Sequence, residues 1–123
     1  MLKKVAFTMF AVEDSTRARA FYENTLGLQR GSADKAGHWT EYDLPGGGCL
    51  ALFNHPDKSQ KGTPGSAGAA IALEVDDLAA TMAELKAKGV DFSGGVIEGP
   101  GCHMANIKDS EGNSIILHQL HKK

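Results

Sequence analysis

Five side chains in this sequence carry chemistry that a small-molecule site could use. They are the carboxylates Glu41 in "HWTEYDL" and Glu74 in "ALEVDD", the imidazole His118 in "IILHQ", and the thiols Cys49 and Cys102. A carboxylate and an imidazole brought to one enclosed volume can divide acid–base work, Glu41 removing a proton and His118 returning one. Each residue also has a plainer reading. Glu41 fits a solvated sheet edge as well as a cavity wall, Glu74 sits beside Asp76 and Asp77 at a rim or helix cap, and His118 lies near the chain end, where a histidine is satisfied or exposed. Cys102 follows "GPG", a bend that could hold it at a cavity mouth, yet buried structural cysteine is the commoner fate. The two cysteines belong to no C-x-x-C pair and read as free thiols. "PGGG" at 45–48 opens no helix, so it reads as a hairpin turn rather than a phosphate loop. His55 and His121, in linker and tail, read as exposed.

The elements that must position these groups follow from the apolar pattern. "VAFTMFAV" (5–12) is a strand, and Asp14 or Ser15 then caps a helix in which Ala18, Phe21, Tyr22 and Leu26 share one face before Gly27 stops it. The same grammar returns. "AIALEV" is a strand, Asp76 and Asp77 a cap, "LAATMAELKAK" a helix with Leu78, Met82 and Leu85 on one face, and Gly89 its stop. Aligning "VED" at Val12 with "VDD" at Val75 sets an offset of 63, and "GHWTEYDLPGGGCLAL" aligns with "CHMANIKDSEGNSIIL" at an offset of 65. Each half therefore reads as strand, helix, short extended piece and hairpin. The expectation is one domain over residues 1–123, with module one at about 1–55, a Pro-, Gly- and Ser-rich linker at about 55–68 and module two at about 69–121.

Composition limits the partners. The 13 basic and 15 acidic residues nearly cancel, and no basic stripe of the kind that phosphate backbones require is present, so nucleic acid is not expected. No apolar run approaches the roughly 18 residues of a membrane span, which gives the expectation of a soluble, cytoplasmic protein without membrane contact.

"VEDSTRARAFYENTLGL", "ALEVDDLAATMAELKAKGV" and "IKDSEGNSIILHQ", in this order and spacing, resemble the vicinal oxygen chelate superfamily, which includes glyoxalase I, bleomycin-resistance proteins and extradiol dioxygenases. The resemblance spans almost the whole chain. It implies an α+β fold in which two βαβββ modules form curved sheets around a cavity. It also implies dimers, sometimes with modules exchanged so that each cavity is built from two chains. Metal-dependent members place their ligands at four strand positions, which fall here on Phe7, Ala51, Ala70 and Ile116. All four are apolar, and divalent cations need oxygen, nitrogen or thiolate donors, so neither that metal nor another cofactor is expected at those positions.

If those four positions face the cavity, strand alternation brings Met9, Cys49, Phe53, Ala72, Glu74, Ser114 and His118 with them, and puts Phe10, Ile71, Leu73, Val75, Ile115 and Leu117 against the helices. For the hairpin strands the same alternation places Trp39, Glu41, Cys102, Met104 and Asn106 inside. Such a cavity is mostly apolar with a few polar groups, a usual composition for a small-molecule site. Three functions compete: a metal-free protein that binds a small, partly apolar molecule; a lyase or isomerase using Glu41 and His118; and an enzyme whose metal has moved to Glu41, Glu74 or His118.

Overall fold

The computed structural model describes residues 1, 3, 5–54, 56, 71–92, 94–99 and 101–121. Ala70, His55 and nearly all of the expected linker lie outside them.

Two four-stranded mixed sheets form the frame. In the first, β1 (Thr8–Ala11) runs parallel to β4 (Cys49–Phe53), which pairs antiparallel with β3 (Trp39–Asp43), and β3 with β2 (Arg30–Ala33). The second repeats this with β5 (Ile71–Glu74), β8 (Ser114–Leu120), β7 (Cys102–Lys108) and β6 (Ile97–Gly99). The repeat is kept closely. Thr8 and Ile71 open the first strands and Ser15 and Leu78 the first helices, both pairs 63 residues apart, while Cys49 and Ser114 open the last strands 65 apart.

Both helices start as the sequence requires. Asp14 accepts from the Arg17 amide to cap α1 (Ser15–Ala20), and Asp77 accepts from the Ala80 amide to cap α2 (Leu78–Ala87). The first helix departs from the expected single α-helix. It widens into a π-helical turn over Phe21–Thr25, closed by the Leu26 amide on the Phe21 carbonyl. Adjacent Phe21 and Tyr22 both pack inward there, Tyr22 fully. Gly27 and Gly89, at φ 76° and 86°, then end the two helical segments in a conformation that costs other residues a Cβ clash.

One core joins the modules. Phe10, Tyr42, Leu50 and Leu52 from the first sheet, Ala105, Ile107, Ile115 and Leu117 from the second, and Ala18, Tyr22, Leu78 and Leu85 from the helical segments form a single buried cluster. The helix-side faces of both sheets therefore turn toward each other through the helices. Among the described residues, their other faces give none to this core.

The β7–β8 turn fastens the two halves. Asp109, buried in the "DSEGN" turn, accepts from the Glu111 and Asn113 amides at 2.8 Å each, from the Asn113 side chain at 3.0 Å and from the Tyr22 hydroxyl of module one at 2.8 Å. Burial, with the Asp109 carboxylate beside it, drives the Tyr22 hydroxyl well above its usual range, so it stays a donor. Asn113 also donates to the Ala11 carbonyl. Glu111 completes the lock by accepting the amides of Glu13 and Asp14 on one oxygen and Arg17 Nε at 2.6 Å on the other.

Candidate functional site

The open face of the first sheet is aromatic. Alternation from buried Phe10 puts Phe7 and Met9 on this face, both about half exposed. Phe7 meets Trp39 edge to face at 5.3 Å between centroids, and Trp39 meets Phe53 at 5.9 Å. The Glu41 carboxylate lies among them, accepting from Trp39 Nε1 at 2.6 Å and from the Cys49 thiol at 3.7 Å. Burial, with Glu41 and Asp43 nearby, raises the Cys49 pKa, which keeps the thiol protonated and unsuited to nucleophilic work. Ala51 is fully buried because its strand neighbours on that face are Met9 and Glu41, whose longer side chains cover it.

The open face of the second sheet is built in matching rows. Ile116 lies between Ala72 and Asn106, and His118 between Glu74 and Met104. His118 Nδ1 sits 2.6 Å from Glu74, whose other oxygen accepts the Leu120 amide at 3.0 Å. The hydrogen bonds from His118 and from that amide hold the Glu74 carboxyl below the usual carboxylate range. Glu74 thus caps no helix; its partners are on β8. Cys102 alternates onto the same face as Met104 but is buried, its sulfur so close to Gly99 that a Cβ there would sit 3.1 Å away. It is a packing thiol rather than a wall residue.

Glu41 and His118 are not brought together. They belong to different sheets, and each is engaged with its own sheet, Glu41 with Trp39 and His118 with Glu74. A groove of about 660 Å³ lies elsewhere, between the end of the first helical segment, the β3–β4 turn, β5 and α2; Leu26, Leu44, Ala72, Val75 and Leu85 line it. Of the residues expected to face the cavity it takes in Ala72 and Glu74 among the described residues.

The positions at which metal-dependent relatives hold their ion do not fit one here. Phe7, Ala51 and Ile116 offer no donor atom, and Ala70 has none in its side chain. A different group of metal-ligating types went unread in the sequence: Glu98, His103 and His121 come together at the rim of the second sheet. His121 is exposed, as read, and also meets His103 and Glu98. No short spacing announces the group, because its members reach one place only through the pairing of separate strands.

With two βαβββ modules, each carrying one four-stranded sheet, comparison with known proteins gives the class. The chain belongs to the Glyoxalase/Bleomycin resistance protein/Dioxygenase superfamily, whose family model matches residues 4–117. It is 30% identical to a probable lactoylglutathione lyase of Vibrio parahaemolyticus serotype O3:K6 (strain RIMD 2210633), over 94% of this chain and 90% of that protein. It is 27% identical to YetH of Bacillus subtilis (strain 168), over 95% and 98%. Among solved structures, TnmS3, an antibiotic binding protein from Streptomyces sp. CB03234, superposes with a TM-score of 0.74 at 26% identity, covering 98% of this chain and 99% of that one.

Proposed function

We propose that this chain binds a small, partly apolar and aromatic molecule in a cleft formed when the open face of the first sheet in one protomer meets the open face of the second sheet in another. The functional unit is then a homodimer, and the open faces hold no metal. The observation that carries this reading is the side chains at the family's metal positions. Phe7, Ala51 and Ile116 are apolar, and Phe7 instead continues a half-exposed aromatic row with Trp39 and Phe53. Exposed apolar residues lie on both faces, Phe7 and Met9 on one, Ile97 and Leu120 on the other, and apolar surface of that kind marks binding or association sites. The similarity to an antibiotic binding protein supports the same reading.

A lyase or isomerase is the second reading, favoured by the similarity to a probable lactoylglutathione lyase. It needs Glu41 and His118 on one substrate, and in one protomer they sit on different sheets. Only across such a dimer could they meet.

Trp39 is the sole tryptophan, so its fluorescence reports on the aromatic row directly. A panel of fused-ring and single-ring aromatic compounds should contain a ligand that quenches Trp39 and raises the melting temperature by roughly 10 °C at a hundredfold excess over Kd, the shift expected from about 2.7 kcal/mol of linkage. Phe53→Ala should weaken that binding. A monomer in sedimentation at micromolar concentration, with no compound moving either signal, would overturn the reading.

A further inference from the structure

On the helix-side face of the second sheet, opposite to Ile116 and His118, three potential ligands converge, one carboxylate and two imidazoles. Strand pairing sets Glu98 directly across from His103, and His103 across from Gln119. The His121 amide donates to the Gly101 carbonyl at 2.8 Å, which carries the pairing one residue past β8 and brings the His121 ring to His103. The result is compact. His121 Nε2 lies 3.1 Å from His103 Nδ1 and 3.4 Å from Glu98 Oε2, and all three ligand atoms fall within 4.8 Å of one another.

These separations suit a metal ion. Ligands about 2.0–2.1 Å from a tetrahedral ion stand about 3.3–3.4 Å apart, so two of the three edges already match to within a few tenths of an ångström. The His103 tautomer is also set. Gln119 Oε1 accepts the Leu78 amide at 2.7 Å, which fixes that atom as the carbonyl oxygen, and it lies 3.1 Å from His103 Nε2. An amide oxygen can only accept, so His103 Nε2 carries the proton and the lone pair of Nδ1 faces His121 and Glu98. An imidazole oriented by a hydrogen bond from its far nitrogen is the usual second layer of a histidine–metal bond.

We propose that Glu98, His103 and His121 bind one divalent transition cation of the zinc type, with three protein ligands and the remaining position open to solvent, and that the ion ties β6 to the residue following β8. Two imidazoles select zinc, cobalt, nickel or copper over magnesium or calcium, which prefer all-oxygen shells. The solvent exposure of Glu98 and His121 leaves the ion a direct route in. This site does not rest on the reading of the open faces, since alternation places it on the other side of the sheet.

The test uses the untagged full chain, stripped with a chelator and titrated with Co²⁺ followed by visible absorption, then with Zn²⁺ in competition with a chromophoric chelator. One equivalent per chain is expected, with tetrahedral cobalt bands, a Zn²⁺ affinity in the micromolar range or tighter, and a rise in melting temperature. His121→Ala, at an exposed position near the chain end, should weaken binding at least a hundredfold with an unchanged far-ultraviolet spectrum, and His103→Gln likewise. Gln119→Leu, which removes no ligand, should weaken it 10- to 100-fold. His118→Ala should leave it unchanged. No saturable binding below about 0.1 mM, full binding by His121→Ala, loss in His118→Ala, or equal competition by Mg²⁺ would each overturn the proposal.

Discussion

Replacing Glu111 by glutamine tests how the modules are held together. The Glu111 side chain is almost fully buried, with two backbone amides at 3.1 Å on one oxygen and Arg17 Nε at 2.6 Å on the other. In Glu111→Gln the new carbonyl oxygen can keep the two amides, but the new NH₂ group faces Arg17 Nε, donor against donor. One charge-assisted bond is lost, typically about 1.5–3 kcal/mol, and the two retained bonds weaken as their acceptor becomes neutral. Arg17 is more than half exposed and can turn to water, which limits the donor–donor clash, so the expected loss is about 2 kcal/mol. Glu111→Ala strands both amides and should cost about 3 kcal/mol. Arg17→Ala should cost least, because Glu111 then keeps both amides. Urea denaturation gives these values from shifts in midpoint at constant slope. The pH dependence adds a second check. Burial alone would raise the Glu111 carboxyl, but Arg17 and the amides of Asp14 and Glu13 outweigh it and hold it below its ordinary 4.5. Its contribution is therefore fully present above about pH 4.5 and is lost as pH falls through the lowered folded value, so wild type and Glu111→Gln should converge in acid. A loss under about 0.5 kcal/mol for Glu111→Gln, or a larger loss for Arg17→Ala, would refute the reasoning.

Two further outcomes follow from the same geometry. Tyr22→Phe removes one of four bonds to the buried Asp109 carboxylate and leaves three, so denaturation should show a loss of about 1.5–3 kcal/mol with an unchanged fold. Met9→Asp places a charge on a half-exposed face that is covered only in the proposed dimer; sedimentation should show a monomer while the urea midpoint under dissociating dilution stays at the wild-type value, and an intact dimer would mean that another surface associates.

The strands, both caps and both helix stops were legible in the sequence because each is written locally. Asp14, Asp77, Gly27 and Gly89 act within a turn of their own positions, and the apolar periods of Phe10–Val12 and Ile115–Leu117 already name the buried face. What escaped depends on how elements meet. The hydrogen bond from Tyr22 to Asp109 spans 87 residues, and the Glu98–His103–His121 group is assembled only by the β6–β7 and β7–β8 registers. Cys102, buried as the commoner reading of it holds, shows a related limit. Alternation gives the side of the sheet correctly but cannot say that the missing Cβ of Gly99 lets the sulfur sink beneath β6.

The "DSEGN" turn links these levels. Asp109 and Asn113 close the β7–β8 hairpin through the Asp109 amide on the Asn113 carbonyl and two amides on the Asp109 carboxylate, and this fixes which residue of β8 stands opposite each residue of β7. On the second sheet, neighbours in sequence serve opposite faces: Met104 and His118 belong to the open face, His103 and Gln119 to the helix side. A slip of one residue would move His118 to the helix side and Gln119 to the open face, dismantling both arrangements together. The side chain that locks the hairpin register also receives the Tyr22 hydroxyl from the other module. One buried carboxylate therefore takes part both in docking the modules, beside Glu111 and Asn113, and in fixing the facing of the candidate ligands on β7 and β8.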